Sequence, residues 1–210
     1  MDYNIKELIE KTKGSDLPGG GSISAYVASL GAALTMMVRN LSLDKKTYLN
    51  LDDNIKEMID NDYHKLDELT YEFYNLYIED TKSFDKVLEA WKLPKSNDDE
   101  KLYRDKAILE GYKYASSVPL KISKLCIEAL KLQKNIAEYG NINAITDQGI
   151  GTLLLASSGE SALLNVIINI KYIKDEDLVE ELKCEVEECK NNINILREEL
   201  MGICYKRLNY

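Results

Sequence analysis

One histidine, one tryptophan, two phenylalanines and three prolines: the 210-residue chain is poor in the residues that most often mark a site or break an element. With His64 alone, paired-histidine catalysis and histidine-rich metal ligation are excluded. Acid–base work must therefore fall to Asp, Glu, Lys, Tyr or Cys. Three prolines and 11 glycines leave few places where a long element must stop, which favours helices. The four cysteines (Cys126, Cys184, Cys189, Cys204) show neither CxxC spacing nor dense pairing. They read as reduced cytosolic thiols packed as small apolar groups. A net charge of −9 lacks the basic footprint that nucleic acid or an anionic membrane requires, so neither is expected as a partner. No apolar run is read as long enough to span a bilayer, and Met1-Asp2-Tyr3-Asn4-Ile5-Lys6 has no signal-peptide pattern. The expected location is cytoplasmic.

What is present is the balance of a soluble globular protein, 45% hydrophobic and 30% charged. Residues 2–13 read as a short amphipathic helix with Ile5, Leu8 and Ile9 on one face. Gly14 to Gly21 reads as a loop, with Ser22 as N-cap of the next helix. From Ile23 to about Leu41 the chain is apolar, and Ala25, Ala28, Ala32 and Ala33 would let another helix approach closely. A long helix is expected from Leu51 to Trp91, and Leu93-Pro94 ends it. Ser96 to Asp99 cap the next, Pro119 interrupts or restarts the pattern after Val118, and Gly140 closes that segment. Asn141 to Ile145 reads as a turn, with Thr146 or Asp147 capping a further helix. Ile150 to Ile170 is apolar almost all round and is expected at the buried centre of a bundle. A charged helix from about Asp175 to Leu208 ends the chain. The reading is all-α: one helical bundle over residues 1–210, with long antiparallel helices.

Within the Leu51–Trp91 helix the apolar positions are Leu51, Ile55, Met58, Leu66, Leu69, Phe73, Leu76, Phe84, Val87 and Trp91. They step by three or four residues except at two gaps, which Asp62 and Asp80 fill in register. At about 100° per residue both aspartates fall on the apolar stripe. An ionised carboxylate there is desolvated unless partnered, which is the environment of a catalytic acid or base. The structural alternative is a bend that turns Asp80 outward, or a lysine pair; for Asp62, Ile59 and Tyr63 shift the stripe and favour that alternative. Pro18-Gly19-Gly20-Gly21-Ser22 leads into a helix and offers either an anion site or a flexible connector. Asn141, Asn143 and Asp147 read as capping residues or ligand contacts. Asn165 and Asn169, one turn apart on an apolar helix, must bond neighbouring helices or a polar ligand. Lys45 and Lys46 are solvated unless an anionic substrate tail meets them, and His64 is structural.

These segments also align with a known family. Pro18-Gly-Gly-Gly-Ser-Ile-Ser-Ala25, Leu30-Gly-Ala-Ala-Leu34, Asp44-Lys-Lys-Thr-Tyr48, Leu93-Pro-Lys95, Val118-Pro-Leu120, Gly140-Asn-Ile-Asn-Ala-Ile-Thr-Asp147 and Leu163-Leu-Asn-Val-Ile-Ile-Asn-Ile170 occur in the right order over nearly the whole chain. Together they resemble the cyclodeaminase/cyclohydrolase family of folate enzymes. Thr146, Gln148-Gly-Ile-Gly151 and Ser158-Gly-Glu-Ser161 depart from its commoner forms. The resemblance implies an all-helical homodimer acting on a tetrahydrofolate one-carbon substrate without metal or other cofactor. The absence of room for a formiminotransferase domain favours 5,10-methenyltetrahydrofolate hydrolysis over formimidoyltetrahydrofolate cyclodeamination. It places the catalytic aspartate of the Glu79-Asp-Thr-Lys-Ser-Phe84 stretch on Asp80. The implied substrate contacts are Gly19, Gly20, Gly21, Ser22, Asn143, Asp147, Asn165 and Asn169, with Lys45 or Lys46 facing the glutamate tail; Glu160 and Asp62 stay open. A partner-binding bundle without chemistry is the alternative of another class.

Overall fold

The computed structural model describes residues 4–15 and 18–210. Among these are nine α-helices and one 3-10 turn: α1 Ile5–Thr12, α2 Gly20–Asn40, α3 Lys46–Leu49, α4 Asp53–Ser83, α5 Asp85–Trp91, α6 Asp98–Leu132, α7 Lys134–Tyr139, the turn Ile142–Ala144, α8 Ile145–Ile170 and α9 Glu176–Arg207. Four of them, α2, α4, α6 and α8, make an up-down-up-down bundle, and α9 packs outside α8 and α6. The antiparallel order shows in paired residues. Ser22 meets Asp80 and Arg39 meets Asp60 across α2 and α4. Asn169 meets Ala115, and Thr152 meets Gln133 at the C-cap of α6.

The small residues of α2 do what small residues do. Ala25, Ala28 and Ala32 are fully buried, and α8 comes close enough that a Cβ on Gly31 would lie 2.9 Å from the Gly151 carbonyl. Ala33 instead faces outward. The crossing is tied by a buried amide–hydroxyl chain: Gln133 Nε2 donates to Thr35 Oγ1 at 2.6 Å, and Thr152 Oγ1 donates to Gln133 Oε1 at 2.8 Å. Satisfied networks of this kind fix one register among helices that apolar packing alone would let slide.

Several sequence expectations are corrected. The first helix is capped by Asn4 in a box with Glu7, but only Leu8 of its apolar face is buried. Residues 2 and 3 of that helix, and residues 16 and 17 of the expected loop, lie outside the described residues. Gly20 and Gly21 are helical, Gly19 is the N-cap of α2, and Ser22 lies inside the first turn. The long helix breaks at Phe84 into α4 and α5. Pro119 does not interrupt α6, which runs through it, because the carbonyl it orphans finds another donor. Neither Thr146 nor Asp147 caps α8; its N-cap is Ala144. The α8 helix is not buried all round: Ile150, Leu153, Leu164, Ile167 and Ile168 are exposed. Helix α2 and the segment Ile142–Ile170 are also long and apolar enough, by length and composition, to cross a membrane, contrary to the sequence reading. In the bundle half or more of the apolar window of each is buried against other helices.

Candidate active site

The break between α4 and α5 opens a cleft of about 380 Å³ at the end of the bundle where α2 begins and α8 ends. One wall is the Gly19–Gly21 backbone and another is α8 through Asn165, Ile168 and Asn169. Phe84, Trp91, Tyr112 and Tyr172 supply the aromatic faces. Tyr112 is almost fully buried and stacks on Tyr172 with ring centroids 5.1 Å apart. Phe84 meets the Tyr112 ring edge-on at 6.1 Å. Such faces suit a flat conjugated ligand.

Asp80 lies in this cleft. Its carboxylate sits against the first turn of α2, so close that a Cβ on Gly21 would stand 2.5 Å from Oδ1. Ser22 Oγ donates to Oδ2 at 2.7 Å. No ion pair reaches Asp80 among the described residues. Burial pushes its pKa above the ordinary carboxylate value, while the Ser22 hydroxyl and backbone amide pull it back in part. Desolvation dominates. The result is a carboxyl group able to take and return a proton nearer neutrality than an exposed aspartate.

Asn169 has two jobs. Its Nδ2 donates at 2.9 Å to the carbonyl of Ala115, the residue one turn before Pro119. Proline has no N–H to give that carbonyl, and the side chain of α8 supplies the donor instead. Locking Nδ2 on α6 also fixes the amide's orientation, and Asn169 lines the cleft.

Comparison with known proteins fits this arrangement. The formiminotransferase-cyclodeaminase family model matches residues 4–188. The chain belongs to that family. A methenyltetrahydrofolate cyclohydrolase of Methylorubrum extorquens is 34% identical over 192 residues, covering 91% of this chain and 90% of that one. The formimidoyltransferase-cyclodeaminase of Mus musculus is 32% identical over 84% of this chain, which spans 32% of the mouse protein's length. The fold is that of formiminotetrahydrofolate cyclodeaminase from Thermotoga maritima, with a TM-score of 0.84, 24% identity and 98% of each chain covered.

Of the residues singled out in the sequence of this family member, the structure gathers Asp80, Gly19, Gly20, Gly21, Asn165 and Asn169 around one cleft, with Ser22 behind Asp80. It does not bring Lys45, Lys46, Asn143 or Asp147 there. Asn141 donates to the Leu41 carbonyl and its own N–H bonds Ser42 Oγ, so the Asn143–Asp147 turn sits beside the far end of α2. Twenty-one helical residues separate that end from the glycines, about 30 Å at 1.5 Å per residue. Asp62 accepts from Asn135 Nδ2 at 2.8 Å, a structural tie between α4 and α7. Glu160 is exposed. His64 is exposed and sits edge-on to Tyr63. The sequence reading missed Tyr112 and Tyr172, whose scattered positions carry no motif. It also counted Phe84 and Trp91 as core, yet they are 40% and 48% exposed on the cleft.

Proposed function

We propose that this protein is a methenyltetrahydrofolate cyclohydrolase, adding water to the bridging carbon of 5,10-methenyltetrahydrofolate to give 10-formyltetrahydrofolate. The observation that carries the reading is Asp80, a desolvated carboxyl with a single hydroxyl partner in an aromatic-walled cleft. The 34% identity to the Methylorubrum cyclohydrolase over nine tenths of both chains supports the substrate.

The substrate brings its own electrophile, an amidinium-like carbon between N5 and N10, so this chemistry calls for no metal or redox cofactor. The Asp80 carboxylate stabilises that cation and takes one proton from the attacking water as the C–O bond forms. Collapse of the tetrahedral carbon breaks its bond to N5. Asp80 returns the proton to N5, and the hydroxyl proton leaves to solvent as the formyl group stays on N10. The Tyr112–Tyr172 stack and Phe84 hold the pterin, and the Asn169 amide offers it a polar edge.

Cyclodeamination of 5-formimidoyltetrahydrofolate is the second reading, favoured by the relatives that bear that name. It passes through a tetrahedral carbon between the same two nitrogens, so the same aspartate serves it. Mixing the protein with 5,10-methenyltetrahydrofolate and following its near-ultraviolet absorbance separates the readings. The expected result is accelerated loss that falls about 10²–10⁴-fold in Asp80→Asn. No acceleration, with ammonia released from the 5-formimidoyl substrate, would move the assignment to cyclodeaminase. Failure of both with folded protein would leave a partner-binding bundle.

A cytoplasmic homodimer completes the proposal. Four free cysteines, three of them buried, suit a reducing compartment. The exposed apolar edges of α2 and α8, with Leu30, Ile150, Leu153 and Leu164 each at least 45% accessible, suit burial against a second copy.

A further inference from the structure

A second cavity, of about 370 Å³, adjoins the Asp80 cleft and shares two walls with it, Trp91 and Tyr172. Its polar lining is Arg104, Lys106, Lys174 and one acid, Asp105. Three cations against one anion stand out in a molecule of net charge −9. Arg104 is held by an Nη2 hydrogen bond to the Trp91 carbonyl at 3.3 Å, while its buried Nε has no partner. Lys174 reaches Asp105 only at 4.0 Å, and among the described residues no ion pair engages Lys106. The cations are thus fixed or free, but not neutralised, one aromatic wall away from the proposed chemistry.

We propose that this cavity binds the carboxylates of the substrate's glutamate tail. The inference rests on the folate reading above. A reduced folate is a flat bicycle joined through an aminobenzoyl ring to one or more glutamates. Asp80, with the Tyr112–Tyr172 stack, takes the reactive end, and the ring passes along Trp91. The α-carboxylates then arrive at Arg104, whose planar fork suits a carboxylate, with Lys106 and Lys174 as flexible point charges for further residues. Lys45 and Lys46, at the far end of α2, are out of reach of a molecule so placed.

Steady-state kinetics with mono- and pentaglutamyl 5,10-methenyltetrahydrofolate test this directly, on the full chain with Arg104→Gln, Lys106→Gln and the double variant. Each lost contact should raise KM for the pentaglutamate about fivefold, as expected of partly exposed ion pairs, leaving kcat unchanged; the monoglutamate should follow in Arg104→Gln and be spared in Lys106→Gln. Raised salt should erase the difference between the two substrates in wild type. p-Aminobenzoyl-pentaglutamate, which lacks the pterin, should inhibit wild type competitively and the double variant weakly. Unchanged KM in the double variant, or the same loss in Lys45→Gln/Lys46→Gln instead, would overturn the tail site while leaving the cyclohydrolase intact. Absence of turnover in wild type with both the 5,10-methenyl and the 5-formimidoyl substrate would instead strike the folate reading itself, a result distinct from either.

Discussion

At the scale of single residues, the cleft is organised around one carboxylate that the fold makes uncomfortable. Because burial raises the Asp80 pKa, its contribution to stability is full below the ordinary value near 3.8 and is lost as pH rises through the higher folded value. Asp80→Asn should therefore melt above wild type at neutral pH, with the gap closing as pH falls towards 4; thermal melts across pH read this. The acid limb of kcat/KM should sit above the ordinary aspartate range and vanish in the variant. Gly21→Ala is the complementary experiment. Its methyl would meet Asp80 Oδ1 and turn the carboxylate away, so turnover should fall by about tenfold or more, in line with other misplaced catalytic groups. Circular dichroism should show the helices intact. Asp80 was legible because a period of 3.6 assigns a face to every residue, and a lone acid on an apolar face stands out. Tyr112 and Tyr172 were not, since their stacking joins α6 to the α8–α9 turn and leaves no local pattern.

At the scale of elements, α6 shows why a proline in sequence is weaker evidence of a helix end than it looks. Pro119 removes one N–H, and Asn169 of α8 gives the Ala115 carbonyl its replacement. Asn169→Ala should cost about 1–3 kcal/mol in urea unfolding, the penalty for a buried acceptor left unpaired. In a Pro119→Ala background, where the helix can bond that carbonyl itself, the same change should cost less; equal costs in both backgrounds would refute the coupling. Sequence periodicity thus located every long helix but misplaced their joints. The Phe84 break went unseen because its flanking apolar residues keep the stripe's spacing on both sides. Helix α8 was read as buried all round because hydropathy measures composition, and composition does not say whether an apolar face meets its own chain or a partner.

At the scale of the whole molecule, that unpaired apolar face predicts association. Sedimentation velocity should find a dimer, and Leu153→Glu should give a monomer with its helical content retained. The two ends of the bundle meanwhile divide their labour. The Thr35–Gln133–Thr152 chain pins the deep interior, while the cleft opens at the end where α4 breaks. Trp91 stands at that end, half exposed between the two cavities, and it is the chain's only tryptophan beside 14 tyrosines. The protein therefore carries a native optical gauge. Light absorbed by indole alone reports from a single known point, so emission colour and quenching by iodide or acrylamide follow the filling of either chamber in real time, without label, coupled enzyme or engineered site.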